Sequence, residues 1–453
     1  MRLILVYACL LIGISASLRK PFWGLLFYLW LSYFRPEYWM WNGFWLRNWN
    51  ITFIVGAYVA LAAPFANTRF RFDTRSALIF LFLALDVIST VQSPYFSYSK
   101  PFLLEFIKII VITYLFTAYA TEPPQYRLII LVIALSLGFE TSKQGWLDLF
   151  RHPGEQNINT INFLGDENEV AIGLFMLVPL LLALAQTATH QWERWLHRFI
   201  AVGVFYRAVI TYSRGGFLAC GAMGIMHVLR SKNKVRSLIG AAIVGGVVYS
   251  VLPQGFWDRM SSIQFPQSDS AAMDASSQLR ARDERSARSR LHFWTVAKNM
   301  AADNPLLGVG QNAYHAAYNR YDFLDGEYGE DRAVHSVWYG VLAEVGYPGF
   351  VVFIVIILLT FISTQRTIIR VKKGEIPREL GFYALALQTG CAAFIAGGSF
   401  VSWQWNEMLW HFIGLSMALD GAATVAPKPA PSVVRPSMPL KVRFETAQAV
   451  RGT

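Results

Sequence analysis

The chain has 453 residues, 54% of them hydrophobic and only 15% charged, with a positive mean hydropathy. Soluble domains carry about 25% charged residues, so this composition excludes a soluble globular class and points to an all-α, polytopic membrane protein. In such a chain the net charge of +11 belongs with basic loops and anionic lipid headgroups, and gives no reason to expect a nucleic acid partner.

Apolar runs occupy 3–18, 22–34, 51–67, 77–92, 102–119, 126–140, 169–188, 197–211, 215–229, 236–252, 334–364, 380–398 and 402–420. The first resembles a signal peptide. The pattern resumes at once in "FWGLLFYLWLSYF", so it reads as an uncleaved span. The first two runs are short for a hydrocarbon core of about 30 Å. Counting one as a half-span gives about twelve transmembrane helices. The expected organisation is N-terminal transmembrane helices over 1–252, a large helical loop over 253–333, C-terminal transmembrane helices over 334–420, and a flexible basic tail over 421–453. A second polar stretch, 141–168, separates two spans.

Lysine and arginine in short loops set the orientation. One alternating set of loops, from "SLRKP" to "QRTIIRVKKGEIPR", carries 17 of them, against 6 in the other set. The first set is cytoplasmic. The second set and 253–333 face outward, and the tail lies inside. The three cysteines, Cys9, Cys220 and Cys391, fall in apolar runs far apart and suggest neither a disulfide framework nor a metal site.

Charged groups then stand out in chain order. "FLGDENEVA" brings Asp166 and Asn168 to the start of a span, where they either cap a helix or orient an arginine or a sugar. "RAVITYSRGGF" places Arg207 inside an apolar run and Arg214 at a Ser-Arg-Gly-Gly turn, seven residues apart on one helix. An arginine at bilayer depth is a functional hypothesis by default. The alternative for Arg207 is a buried pair with Asp86 or Glu105. For Arg214 the two glycines leave room for a ligand or backbone to approach. Lys108 is a further charge inside a span.

From Ser286 the pattern turns helical, with Leu291, Trp294, Ala297 and Ala301 on one face and Arg288 and Arg290 at its start. "NPLLGVGQNAY" closes it and carries Gln311 and Tyr314. Of the eight histidines, His152, His292, His315 and His335 fall on the outer side. His335 precedes a helix, whose N-terminus disfavours imidazolium and keeps the ring neutral near pH 7. A neutral imidazole suits a general base for a hydroxyl nucleophile. The acidic loop "YDFLDGEYGEDR" matches no EF-hand, and no phosphate-binding Gly-x-x-x-x-Gly-Lys motif exists, so neither a metal nor ATP is expected. Arginines and a histidine at the outer lipid boundary suit a lipid-linked diphosphate.

Four stretches in order carry a family resemblance. They are "FLGDENEVA", "TYSRGG", "RSRLHFWTVAKNMAADNPLLGVGQNAY" and "VHSVWYGVLAEVGYPG". Together they resemble the O-antigen ligase family and its related O-glycan polymerases. The opening "KPFWGLLFYLWLSYFRPEYW" is similar to the exosortase-associated branch. The resemblance implies a C-type glycosyltransferase fold in the bacterial inner membrane with its active site facing the periplasm. It implies an undecaprenyl-diphosphate-linked glycan donor, a lipid A-core acceptor, and direct, inverting, metal-independent transfer without a cofactor. The family's two key arginines fall on Arg214 and Arg290 and its histidine on His335, with Arg207, Asp166, Asn168, Arg288, Gln311 and Tyr314 as supporting positions. Ser336 stands where the family's usual motif has Asn. An O-antigen polymerase or a protein O-oligosaccharyltransferase would use the same donor, and a flippase or other transporter is the rival of a different class.

Overall fold

The computed structural model describes residues 2–40, 46, 50–66, 68–231, 233–261 and 275–426, with side chains from 285 onward in the last stretch. The tail 427–453 and the side chains of Arg282, Asp283 and Glu284 lie outside the described residues.

Within them the chain is helical throughout. In order come α1 (Arg2–Arg19), α2 (Pro21–Phe34), α3 (Pro36–Trp39), α4 (Ile51–Ala62), α5 (Thr74–Gln92), α6 (Phe96–Tyr119), α7 (Pro123–Arg151), α8 (Glu167–Thr187) and α9 (Gln191–Val209). Then follow α10 (Arg214–Arg230), α11 (Lys234–Val251), α12 (Gln254–Ser261), α13 (Ala275–Asp303), α14 (Tyr314–Tyr321), α15 (Val337–Lys372), α16 (Arg378–Gly398) and α17 (Glu407–Val425). Among the described residues nine helices are long and apolar enough to cross a membrane: α1, α5, α6, α7, α8, α11, α15, α16 and α17. The chain is a multi-pass helical membrane protein.

Two helices form the centre. From Val170 to Leu181 every residue of α8 is buried, and so is every residue of α17 from Glu407 to Leu419. A helix apolar on all sides belongs inside a bundle. At the opposite extreme, α11 buries no side chain, and α1 buries three, as expected of helices that face lipid. Several boundaries differ from the sequence pattern, and two of the differences bear on packing and domain limits. α7 runs on to Arg151, well into the polar stretch 141–168, because its small residues Gly145 and Ser142 pack against α9. A Cβ at Gly145 would collide with the Gly203 carbonyl, so the two backbones touch as small residues permit in membranes. α17 runs to Val425, five residues into the segment expected to be tail.

Polar ties fix the bundle at both ends. Arg75 of α5 bonds Asp420 of α17 at 2.5 Å and Asp73 at 3.1 Å, and Ser363 of α15 donates to Asp420 at 2.6 Å. At the other end Glu407 of α17 accepts from Tyr28 at 2.8 Å and from Ser32, both on α2. The third tie is Glu344 of α15, 2% exposed. Its carboxylate accepts from Gln404 at 3.0 Å, Trp405 at 2.7 Å and the Tyr314 amide at 3.4 Å.

The region 253–333 builds its own small core, with Phe293, Val296, Ala297 and Met300 of α13 against Tyr314, Ala317 and Tyr318 of α14. Of the expected face, Ala297 and Ala301 are buried and Trp294 packs on this core, whereas Leu291 is 60% exposed and Phe293, Val296 and Met300 complete the apolar side. This core docks on a kink in α15. Gly346 has φ +74°, and its backbone lies against Pro305, Leu306 and Leu307. Tyr347 donates its amide to the Pro305 carbonyl at 2.9 Å, and Val309 to Ala343 at 2.9 Å. "VGYPG" is thus a docking kink, with glycine supplying a conformation that costs other residues.

Replacing Gly145 by Val should cost about 1–3 kcal/mol through overpacking. A lowered unfolding midpoint of the purified protein would report it, and an unchanged midpoint would contradict the α7–α9 contact.

Candidate active site

Arg207 and Arg214 lie on different helices. α9 ends at Val209, Tyr212 turns the chain with φ +59°, and α10 starts at Arg214. Arg207 is fully buried and pairs with neither Asp86 nor Glu105. Its guanidinium donates to the carbonyls of Asn157 at 3.2 Å and Asn159 at 2.8 Å. The same loop is bound by Tyr212 to the Gly154 carbonyl at 2.6 Å and by the Asn157 amide to the Ile210 carbonyl at 2.8 Å. Arg207 therefore anchors the α7–α8 connection, which delivers Asp166.

Asp166 caps α8, accepting from the amides of Asn168 at 2.9 Å and Glu169 at 3.0 Å. Asn168 accepts from the Ser213 hydroxyl at 2.8 Å, and Ser213 caps α10 through Gly216 at 3.1 Å. These bonds join the starts of α8 and α10. The glycines after Arg214 serve helix packing. A Cβ at Gly216 would strike Ala171, and one at Gly215 would meet Phe400 at 3.4 Å. Arg214 leaves the start of α10 and donates to Ser286 of α13 at 3.1 Å.

Arg290 reaches the same place from α13. Its guanidinium lies 5.8 Å from the Phe400 ring, a cation–π distance. Burial and the neighbouring Arg214 push its pKa down to about 10, against the opposing pull of Asp166. It remains a cation at neutral pH. Arg259 of α12 adds positive field at the same point.

His335 completes the group. Its backbone is left-handed, φ +49°, a strained conformation for a non-glycine residue. The strain is held by the His335 amide, which donates to the Ser402 hydroxyl at 2.9 Å. The ring lies 6.0 Å from that of Phe293. Burial lowers its pKa, Arg290 and Arg332 lower it further, and Asp166 opposes them. The imidazole is thus neutral at pH 7.

Arg214, Arg290, Asp166 and His335, from four separate segments, are therefore brought together, with Asn168 behind Asp166. Arg288 is exposed and faces Tyr328. Tyr314 belongs to the loop core, donating its hydroxyl to the Phe293 carbonyl at 2.8 Å. Gln311 is buried beside α5, its backbone N–H donating to the Thr90 hydroxyl at 3.1 Å. The other outer histidines are engaged elsewhere: His152 with Glu155 at 3.1 Å and His292 with Asp322 at 2.8 Å, while His315 stacks near Tyr98. Among the described residues no group of three or more His, Cys, Asp or Glu could hold a metal ion.

Four contributors escaped the sequence: Arg259, Arg332, Phe400 and Ser402. Arg332 stands three residues before His335 and could have been suspected. The others come from a short helix and an interhelical connection whose placement depends on packing.

Residues 199–354 match the family model described as O-Antigen ligase. The match covers about a third of the chain and contains Arg214, Arg259, Arg290, Arg332 and His335, whereas Asp166, Phe400 and Ser402 lie outside it. No curated protein matches the chain.

A neutral His335 sets a sign for pH dependence. Any reaction that uses it as a base should fall away as pH drops through its lowered pKa, below 6.5. Asp166→Asn should move that acid limb to lower pH, because it removes the group that favours the imidazolium. Arg290→Gln should move it up. Profiles of kcat/KM for both variants check this, and an acid limb fixed in place would mean another group titrates.

Proposed function

We propose that this chain, whose residues 199–354 match the O-antigen ligase family model, transfers a glycan from undecaprenyl diphosphate to a sugar hydroxyl of lipid A-core. The observation that carries this reading is the convergence of Arg214, Arg290, Asp166 and His335 at one end of an apolar helical bundle.

On this reading the bundle has about twelve spans in a C-type glycosyltransferase architecture of the bacterial inner membrane. α4, α9 and α10 supply crossings beyond the nine long helices, and the 14-residue α2 is the half-span. The 253–333 region and the arginine cluster face the periplasm. Arg214 and Arg290 hold the donor diphosphate, with Arg259 and Arg332 adding field. Arginine suits that task because its planar fork matches phosphate oxygens in pairs. His335 accepts the proton of the acceptor hydroxyl as its oxygen attacks the anomeric carbon. The bond from that carbon to the diphosphate breaks, and the leaving group takes the electron pair into the arginine field. Charge that grows on the leaving oxygen is stabilised where it appears. A single displacement inverts the anomeric configuration, and the arginines take the electrostatic role that a metal plays elsewhere. Asp166 moderates the cluster and Asn168 supports its helix start.

The donor chemistry is shared with an O-antigen polymerase and a protein O-oligosaccharyltransferase, so the acceptor separates the three. Purified protein given the lipid-linked glycan donor should produce a slower-migrating glycolipid with lipid A-core, and none with a free glycan or a serine-containing peptide. His335→Ala should lower transfer by about 10²–10⁴-fold, the usual worth of a general base. Arg214→Ala and Arg290→Ala should each lower it by about 10²–10³-fold. Normal turnover in all three variants would remove the assignment. Movement of substrate across vesicles without a new linkage would favour a transporter.

A further inference from the structure

A cavity of about 290 Å³ opens between the ends of α2 and α4 and the flank of α6. It lies beside the start of α17, since Arg35 and Lys108 are within electrostatic reach of Glu407. That is the end of the bundle that also carries His335. Nothing in the proposed transfer uses it.

Its lining is unusual for a membrane helix bundle. Lys108 stands twelve residues into α6, about 18 Å along the axis at 1.5 Å per residue. It pairs with Glu105 on the next turn. The opposite wall is the α2–α3 junction, where Arg35 and Glu37 lie 3.8 Å apart. Arg35 is left-handed, φ +51°, and its buried Nε has no hydrogen-bond partner. Asn50 and Thr52 add polar edges, and Leu31 and Ile51 an apolar one. Glu407 behind the wall is already satisfied by Tyr28 and Ser32. Each wall thus presents one cation and one carboxylate, and the Glu105–Lys108 pair lies within a helix long and apolar enough to cross a membrane, where ionised groups are rare and mark function.

We propose that this cavity binds the headgroup of a zwitterionic, amine-bearing phospholipid of the phosphoethanolamine class. An anion alone would compete with Glu37 and Glu105 for the two cations. A cation alone would meet Arg35 and Lys108. A zwitterion satisfies both signs: its phosphate oxygens accept from Arg35 and Lys108, and its primary ammonium donates to Glu37 and Glu105. A quaternary choline headgroup has no N–H to donate. Leu31 and Ile51 give the acyl chains an apolar exit. The inference does not rest on the transfer reaction, and loss of transferase activity leaves it standing.

Native mass spectrometry of the full-length protein tests it, with the protein taken from vesicles of equal phosphatidylethanolamine, phosphatidylcholine and phosphatidylglycerol. The ethanolamine lipid should be retained about tenfold over either of the others. The double variant Glu105→Gln/Lys108→Gln keeps the net charge and should abolish that preference while its unfolding midpoint stays near wild type. Glu37→Gln, on the opposite wall, should weaken it several-fold. Equal retention of the three lipids by the wild-type protein overturns the proposal. So does a preference that survives in both variants.

Discussion

A carboxylate deep in an apolar bundle is costly unless hydrogen bonds meet it, and Glu344 turns that cost into an organising constraint. The donors that satisfy it come from distinct parts of the chain: the Tyr314 amide from the 253–333 region, and Gln404 and Trp405 from the α16–α17 connection. Its own carbonyl accepts from Ser89 of α5 at 2.8 Å and from the Gly310 amide at 3.1 Å. Removing any donor would leave a buried carboxyl group under-satisfied, so the loop core, the connection and two spans are held in one arrangement. Side-chain burial and hydrogen bonding here act as a single device, positioning what lies above.

What lies above is the segment from Ser399 to Asn406. Phe400 supports the Arg290 guanidinium, and Ser402 holds the strained His335 backbone. Trp403 donates to the Leu164 carbonyl at 3.0 Å, two residues before Asp166. Gln404 and Trp405 return to Glu344. A short connection between two buried helices thus touches the supports of the arginine, the histidine and the aspartate. Precision in the cluster comes from this shared bench more than from the loops that carry the charges.

The helical, multi-pass character was legible in the sequence because apolar runs of membrane length seldom occur outside a bilayer. Arg214, Arg290 and His335 could be singled out because charge and histidine are conspicuous against such a background. Other features were not legible. Arg207 and Arg214 look like one face of one helix until Tyr212 turns the chain. On α13 the expected face holds at Ala297 and Ala301 but not at Leu291, which spacing alone places beside Trp294 and packing leaves outside. The bench at 399–406 reads as the start of a span, because "SFVSWQWN" is aromatic and its role rests on contacts with residues distant in the chain. Local pattern carries none of that.

The arginine cluster has a consequence for the end of a catalytic cycle as well as its beginning. Arg214, Arg290 and the nearby Arg259 and Arg332 come to one centre with Asp166 as the opposing carboxylate. On the proposed reaction, the diphosphate keeps all of its negative charge once the glycan has departed, and gains one on the oxygen that carried it. A field arranged to welcome growing charge therefore grips the spent carrier at least as firmly as the loaded one. Turnover would then be governed by departure of the carrier lipid, and a second carrier bearing a glycan would compete with the empty one for the same guanidinium groups.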